Sequence, residues 1–167
     1  MEKNEVMTLE DRGFIQATGA EAKSFLQNIV TNDLEKVTNK STVFSSILTP
    51  QGKYLFEFFI LKFEDGYLLE CEKKATSEII KIFNFYKLRA KVNLIDVSKK
   101  YTNIIISLKK FKEITKSQHV GDSTLSCEEG STLSCENERI YVDPRHKELG
   151  AKIITKIENT ENIIKRL

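Results

Sequence analysis

Lys53-Tyr54-Leu55-Phe56-Glu57-Phe58-Phe59-Ile60-Leu61-Lys62-Phe63 is followed by Glu64-Asp65-Gly66 and then by Tyr67-Leu68-Leu69-Glu70-Cys71-Glu72. The first run is rich in aromatic and branched side chains, which suit a pleated, buried surface, so it reads as a long strand. An Asp-Gly pair between two such runs is a hairpin signal. The second run therefore returns as the antiparallel partner, and the centre of the fold is an antiparallel sheet.

Just upstream, Thr49-Pro50-Gln51-Gly52 has the proline and glycine of a tight turn, and Val43 to Leu48 reads as the strand before it. Further back, Ala22, Phe25, Leu26 and Ile29 recur at helical spacing, which predicts an amphipathic helix over Glu21 to Val30. Thr31-Asn32-Asp33 follows with short polar side chains that favour turns and caps. Glu5 to Leu9 and Gly13 to Thr18 read as two short strands, with Asp11-Arg12-Gly13 as the turn between them.

Downstream of the hairpin, Thr76 or Ser77 can cap a helix carrying Ile79, Ile80, Ile82, Phe83 and Tyr86 on its apolar side. Lys91 to Val97 reads as a further strand, and Ser98-Lys99-Lys100 as a boundary. Thr102 to Leu108 is strand-like. Lys109 to Glu138 is polar and poorly periodic, and contains a tandem repeat: Ser123-Thr124-Leu125-Ser126-Cys127-Glu128, then Ser131-Thr132-Leu133-Ser134-Cys135-Glu136. A short in-frame duplication in a tolerant surface loop accounts for it. Arg139 to Asp143 and Lys152 to Ile157 read as strands, and Asn159-Thr160-Glu161 as a helix start. The expected class is α+β. The first domain spans residues 1–98. The second spans residues 99–167 and is expected to be truncated, because the chain stops at Leu167 inside an apolar helical pattern.

Composition excludes several classes. Hydrophobic residues make up 40% of the 167, enough to build a core. The net charge of +2 gives no strong global field, so non-specific nucleic-acid binding is not implied. No run approaches the ~18 apolar residues of a membrane span. Met1-Glu2-Lys3-Asn4-Glu5 lacks the features of a signal peptide and is too acidic for a typical transit peptide, which predicts a cytoplasmic protein. The cysteines are Cys71, Cys127 and Cys135, an odd set that the reducing cytosol would leave as thiols. Cys71, on a strand, reads as a small packed hydrophobe. Cys127, Cys135, His119 and His146 supply two thiols and two imidazoles, but the cysteine spacing is not C-x-x-C and follows from the duplication, so no metal site is expected. Lys99-Lys100 and Lys109-Lys110 read as solvated faces.

Five segments, in order and at matching spacing, resemble one family. Leu9-Glu10-Asp11-Arg12-Gly13-Phe14-Ile15 is similar to its opening L-x-x-R-G-h-h strand. Gly19-Ala20-Glu21-Ala22-Lys23-Ser24-Phe25-Leu26-Gln27, running into Val30-Thr31-Asn32-Asp33-Leu34, resembles G-x-D-A-x-x-F-L-Q with T-N-D-[LV]. Leu48-Thr49-Pro50-Gln51-Gly52-Lys53 resembles its turn before a long strand, and Phe85-Tyr86-Lys87-Leu88-Arg89-Ala90-Lys91-Val92 its K-Y-x-L-R-x-K-V segment. Asp143-Pro144-Arg145 with Leu149-Gly150 resembles its D-P-R…L-G element. The family is that of YgfZ and the glycine-cleavage T-proteins, the YgfZ/GcvT-like folate-binding family, and the resemblance spans Leu9 to Gly150.

The resemblance implies an antiparallel first domain with helices, then the start of a ferredoxin-like domain from about Tyr101. It implies tetrahydrofolate as the bound cofactor, and a role as an accessory factor in iron–sulfur protein assembly or repair, with iron–sulfur client proteins, including tRNA-modifying enzymes, as partners. Two alternatives stand beside it: an aminomethyltransferase of the glycine-cleavage type, and an inactive truncated remnant. T-proteins carry paired aspartates after the glycine, where this chain has Glu57, the candidate acid. The family's K-G-C-[YF]-x-G-Q-E motif is absent. Asn32 and Asp33 read either as ligand contacts or as a turn that satisfies its own backbone. Arg89 reads either as a fork for a folate carboxylate or as a structural cation at a helix end. Tyr86 reads as core or as pocket wall, and Glu57 as solvent-facing or as a buried functional acid. Open edges on a truncated second sheet predict homo-oligomerisation or strand exchange.

Overall fold

The computed structural model describes residues 6–117, 128–135 and 138–167. Along the chain run β1 (Val6–Leu9), β2 (Arg12–Thr18), α1 (Ala22–Ile29), β3 (Val43–Leu48), β4 (Tyr54–Phe63), β5 (Gly66–Glu72), α2 (Thr76–Lys87), β6 (Asn93–Asp96), β7 (Tyr101–Ile106), α3 (Leu108–Ser117), β8 (Thr132–Cys135), β9 (Glu138–Val142), β10 (Ala151–Lys156) and α4 (Thr160–Arg166). Cys127 and His119 lie outside the described residues, as does the first copy of the duplication apart from Glu128. The elements form two compact units: Asp11–Lys99, and the strand β1 together with Lys100–Leu167.

In the Asp11–Lys99 unit, an antiparallel sheet has the order β3-β4-β5-β2-β6. The β4–β5 hairpin expected from Asp65-Gly66 is present, with Phe63 opposite Gly66. One face of this sheet packs against α1 and α2 through Ile15, Phe58, Ile60, Leu69, Phe25, Leu26, Ile79 and Phe83. Phe83 takes Phe25 and Phe58 edge-on, with ring centroids 6.0 and 5.9 Å away, an arrangement that suits the ring quadrupoles. The other face is buried too, at Phe14, Phe59, Leu61, Phe63 and Leu68. Burial on both faces explains why β4 and β5 read as near-continuous apolar runs rather than as alternation.

The second unit holds an antiparallel sheet of order β1-β7-β10-β9-β8. Its core joins Ile104, Ile106, Ile140, Val142 and Ile153 to Phe111 of α3 and Ile163 of α4. Here the structure departs from the sequence reading. The Asp11-Arg12-Gly13 turn does not fold β1 back on β2. Instead β1 pairs with β7, Val6 opposite Ile106 and Leu9 opposite Asn103. The strand read with the first domain thus stands in the sheet of the second, and it covers the edge of β7. The polar stretch after Leu108 is also not all loop. Leu108, Phe111 and Ile114 lie on one side of α3 and join the second core, a three-residue spacing that the intervening lysines hide. Thr132–Cys135 of the second copy form β8.

Two glycines of the motifs are fixed by backbone approach. A methyl group at Gly13 would overlap Thr76 Oγ1 and Lys73 Cα, so glycine lets β2 lie against the start of α2. Gly150 has φ +88°, and a methyl there would strike the Ile106 carbonyl oxygen.

Candidate functional site

Arg12 begins β2, and the strand pairing sets it opposite Glu72, one residue pair along from Cys71 opposite Gly13. Phe14, two residues on, faces Glu70, so Arg12 and Glu70 are diagonal neighbours on one sheet face. Arg12 Nε donates to Glu70 Oε1 at 2.8 Å; the Glu70 side chain is fully buried and that of Arg12 is 19% exposed. The guanidinium also lies 5.8 Å from the centroid of the Phe59 ring. The Lys73 amide donates to the Asp11 carbonyl at 2.8 Å and ties this corner to the end of β5.

Beside this pair lies an open pocket of about 180 Å³, lined by Asp11, Arg12, Tyr54, Phe56, Glu57, Glu72 and Ala75. Three carboxylates, a phenol, an aromatic ring and an anchored guanidinium thus share one concavity. Tyr54 titrates above the ordinary phenol range, because burial and then the negative charges of Glu57 and Glu72 disfavour its phenolate. Glu72 is also paired with Lys74 at 2.7 Å. Such a surface can accept hydrogen bonds from a donor-rich heterocycle and stack it on Tyr54 or Phe56, while Arg12 offers a fork to a carboxylate.

Of the five site residues read from the sequence, Glu57 lines this pocket. It sits on β4 opposite Ser46 and is exposed. Asn32 and Asp33 lie in the turn after α1. Asn32 Nδ2 donates to the Phe44 carbonyl at 2.9 Å, its amide to Ser45 Oγ at 3.0 Å, and its Oδ1 accepts from the Asp33 amide at 2.8 Å. Asp33 Oδ1 accepts from the Glu35 amide at 2.9 Å and caps the short 3-10 turn Leu34–Lys36. Their polar atoms thus serve the local backbone. Tyr86 is partly buried against the first core, and Arg89 is exposed beyond the end of α2. Asp11, Arg12, Tyr54 and Glu72 escaped the sequence reading as site residues. The signal for Arg12 was its place in the R-G pair.

Two further motif positions have structural work. Arg145 Nε and Nη2 donate to Asp143 Oδ1 and Oδ2 at 3.0 and 2.7 Å, and the Arg145 amide to Oδ1 at 3.0 Å. Burial pushes the Asp143 carboxyl upward, but these bonds and the arginine charge outweigh it and hold the group below the usual carboxylate range. Cys71 is fully buried, 3.6 Å from Thr76 Oγ1, and burial raises its thiol to about 11. It packs as a small hydrophobe and is not a nucleophile. His146 Nδ1 accepts from the Glu148 amide at 3.2 Å. Among the described residues no group of three or more His, Cys, Asp or Glu could hold a metal ion, and no helix is long and apolar enough to cross a membrane.

No protein-family model matches the chain. Over 103 residues it is 29% identical to a protein of Aspergillus fumigatus named iron-sulfur cluster assembly factor IBA57 homolog, mitochondrial, in a match covering 52% of this chain and 23% of that one. The protein of the same name from Pyricularia oryzae is 32% identical over 90 residues, again 52% of this chain and 23% of the relative. That from Dictyostelium discoideum is 24% identical over 185 aligned positions, covering 95% of this chain and 42% of the relative. The chain therefore spans less than half the length of these curated relatives. Among solved structures, the glycine cleavage system aminomethyltransferase T from Bartonella henselae has a TM-score of 0.77 at 10% identity, covering 96% of this chain and 44% of that chain. The heterotetrameric sarcosine oxidase from Corynebacterium sp. U-96 has a TM-score of 0.65 at 7% identity, covering 93% and 77%. These two likenesses are of fold, and they bear out the α+β expectation with a T-protein-like first domain. The relatives are named as mitochondrial, which overturns the cytoplasmic expectation. That expectation rested on the composition of Met1-Glu2-Lys3-Asn4-Glu5, and so short an acidic stretch does not decide the compartment.

Proposed function

We propose that the chain is a member of the YgfZ/GcvT-like family and that it is a folate-binding accessory factor in the assembly or repair of iron–sulfur proteins. The observation that carries the reading is sequence similarity, over about half the chain, to proteins named as iron–sulfur cluster assembly factors. The likeness to an aminomethyltransferase lies at 10% identity and is one of fold.

The lining of the pocket beside Arg12 supports this reading for the pterin end of tetrahydrofolate. The pterin edge of a folate presents N–H donors, and Glu57, Asp11 and Glu72 are acceptors within one concavity. Tyr54 and Phe56 supply ring surface. Arg12, held in place by buried Glu70, lies in the same concavity and offers N–H donors to the pterin carbonyl oxygen. When bound, tetrahydrofolate supplies a carrier for a one-carbon unit. The chain's own residues bind and orient it, with Glu57 as the acceptor reached from the long strand. The clients are iron–sulfur enzymes, tRNA-modifying enzymes among them.

Calorimetric titration with tetrahydrofolate tests the pocket. Binding is expected, and Glu57→Gln should weaken it by about tenfold, the cost of losing one charge-assisted hydrogen bond. No heat of binding would remove the folate reading. Deletion of the gene should lower the activity of iron–sulfur enzymes in cell extracts; unchanged activities would remove the accessory role. No methylene release from an aminomethyl-lipoyl partner is expected, and release would favour the aminomethyltransferase.

A further inference from the structure

Helix α2 ends in Phe85-Tyr86-Lys87, followed by Leu88 and Arg89. The Ala90 amide donates to the Lys87 carbonyl at 2.7 Å, closing a four-residue turn. Leu88, at its second position, has φ 47° and ψ −106°. These are the angles of a type II′ turn, whose second position is ordinarily glycine because a Cβ is strained there. The leucine is nonetheless 86% exposed, so core packing does not offset its strain. Phe85 is 76% exposed and meets Tyr86 edge-on at 5.4 Å. Phe85, in the last turn of the helix, and Leu88, just past its end, are three positions apart and both exposed. Lys81, one helical turn before Phe85, and Arg89 and Lys91 beyond it are exposed, and none of them enters an ion pair among the described residues. The acids nearby are Glu78, on the same helix, and Glu21, whose carboxylate accepts from the Lys91 amide at 2.8 Å.

We infer that Phe85 and Leu88 form an apolar anchor, framed by Lys81, Arg89 and Lys91, that docks into an apolar pocket rimmed by carboxylates on a partner protein. Backbone strain retained at an exposed position points to a role outside the fold. Large apolar side chains left exposed suit burial against a partner, and the cations at positions 81, 89 and 91 select a partner of opposite sign. A whole-chain charge of +2 gives no strong global field of the kind that recruits nucleic acid or an anionic membrane. The inference is independent of the folate pocket.

The test places p-benzoylphenylalanine at position 88 of the full chain in cells, and maps the photo-crosslinks by mass spectrometry. The expected product joins position 88 to an apolar segment flanked by Asp or Glu in a different protein, and disappears when Arg89→Glu and Lys91→Glu are combined. Crosslinks confined to phospholipid, RNA, a second copy of the chain or the same polypeptide would overturn the inference. So would no crosslink above that from the same label at exposed Lys40. With the identified protein as probe, Leu88→Gly should weaken binding about tenfold or more, while relief of the turn raises the melting temperature by a few degrees. Unchanged affinity, or a lowered melting temperature, would overturn it equally.

Discussion

Arg12 donates to Glu70 at 2.8 Å across the β2–β5 pair, with the glutamate wholly removed from solvent. Two residues 58 positions apart in the chain thus hold one corner of the candidate pocket. Removing the cation leaves a buried carboxylate without its guanidinium. Arg12→Met should therefore destabilise the protein by about 3 kcal/mol, the ordinary cost of breaking a buried pair. Denaturant titration reads this. A loss under about 1 kcal/mol, in the range of surface ion pairs, would show that the pair is not buried in solution.

Gly13 sits where β2 meets Thr76 and Lys73. Gly13→Ala forces a methyl into that contact and should cost about 1–3 kcal/mol, the range for overpacking. Thr76→Ala removes the nearer obstacle, so the double variant should recover part of the loss. Additive losses in the double-mutant cycle would contradict the steric account.

Asp143 is held below the usual carboxylate range by Arg145. Its contribution to stability is full above the unfolded-state value of about 3.9 and is lost as pH falls through the lower folded-state value. Asp143→Asn should be less stable than the parent at pH 6, and the difference should shrink as pH falls below about 4. A difference constant over that window would remove the charge interaction as its cause.

Cys71 is enclosed in the first core, with its thiol pushed up to about 11. In the native protein at pH 8 iodoacetamide should leave the Cys71 peptide unmodified, and in denaturant it should alkylate it fully. Peptide mass spectrometry separates it from Cys127 and Cys135. Rapid native labelling of Cys71 would show that this part of the sheet opens.

The β4–β5 hairpin, the position of α1, the helix beginning at Thr76 and the five motif segments were legible in the amino-acid order alone. These rest on local signals: a two-residue or 3.6-residue period, and turn residues with special backbone angles. The pairing of β1 with β7 rather than β2 emerged only in the folded chain. The partner of a strand is chosen by which faces can be buried together, and no local pattern carries that choice. The same holds for α3, whose Leu108, Phe111 and Ile114 gain meaning from the second core. In the candidate site, Glu57 was legible as an acid on an apolar strand. Asp11, Arg12, Tyr54 and Glu72 were not, because what joins them to Glu57 is the pairing of β2 with β5 and β5 with β4. A pocket whose walls come from separate strands exists only once the sheet has formed.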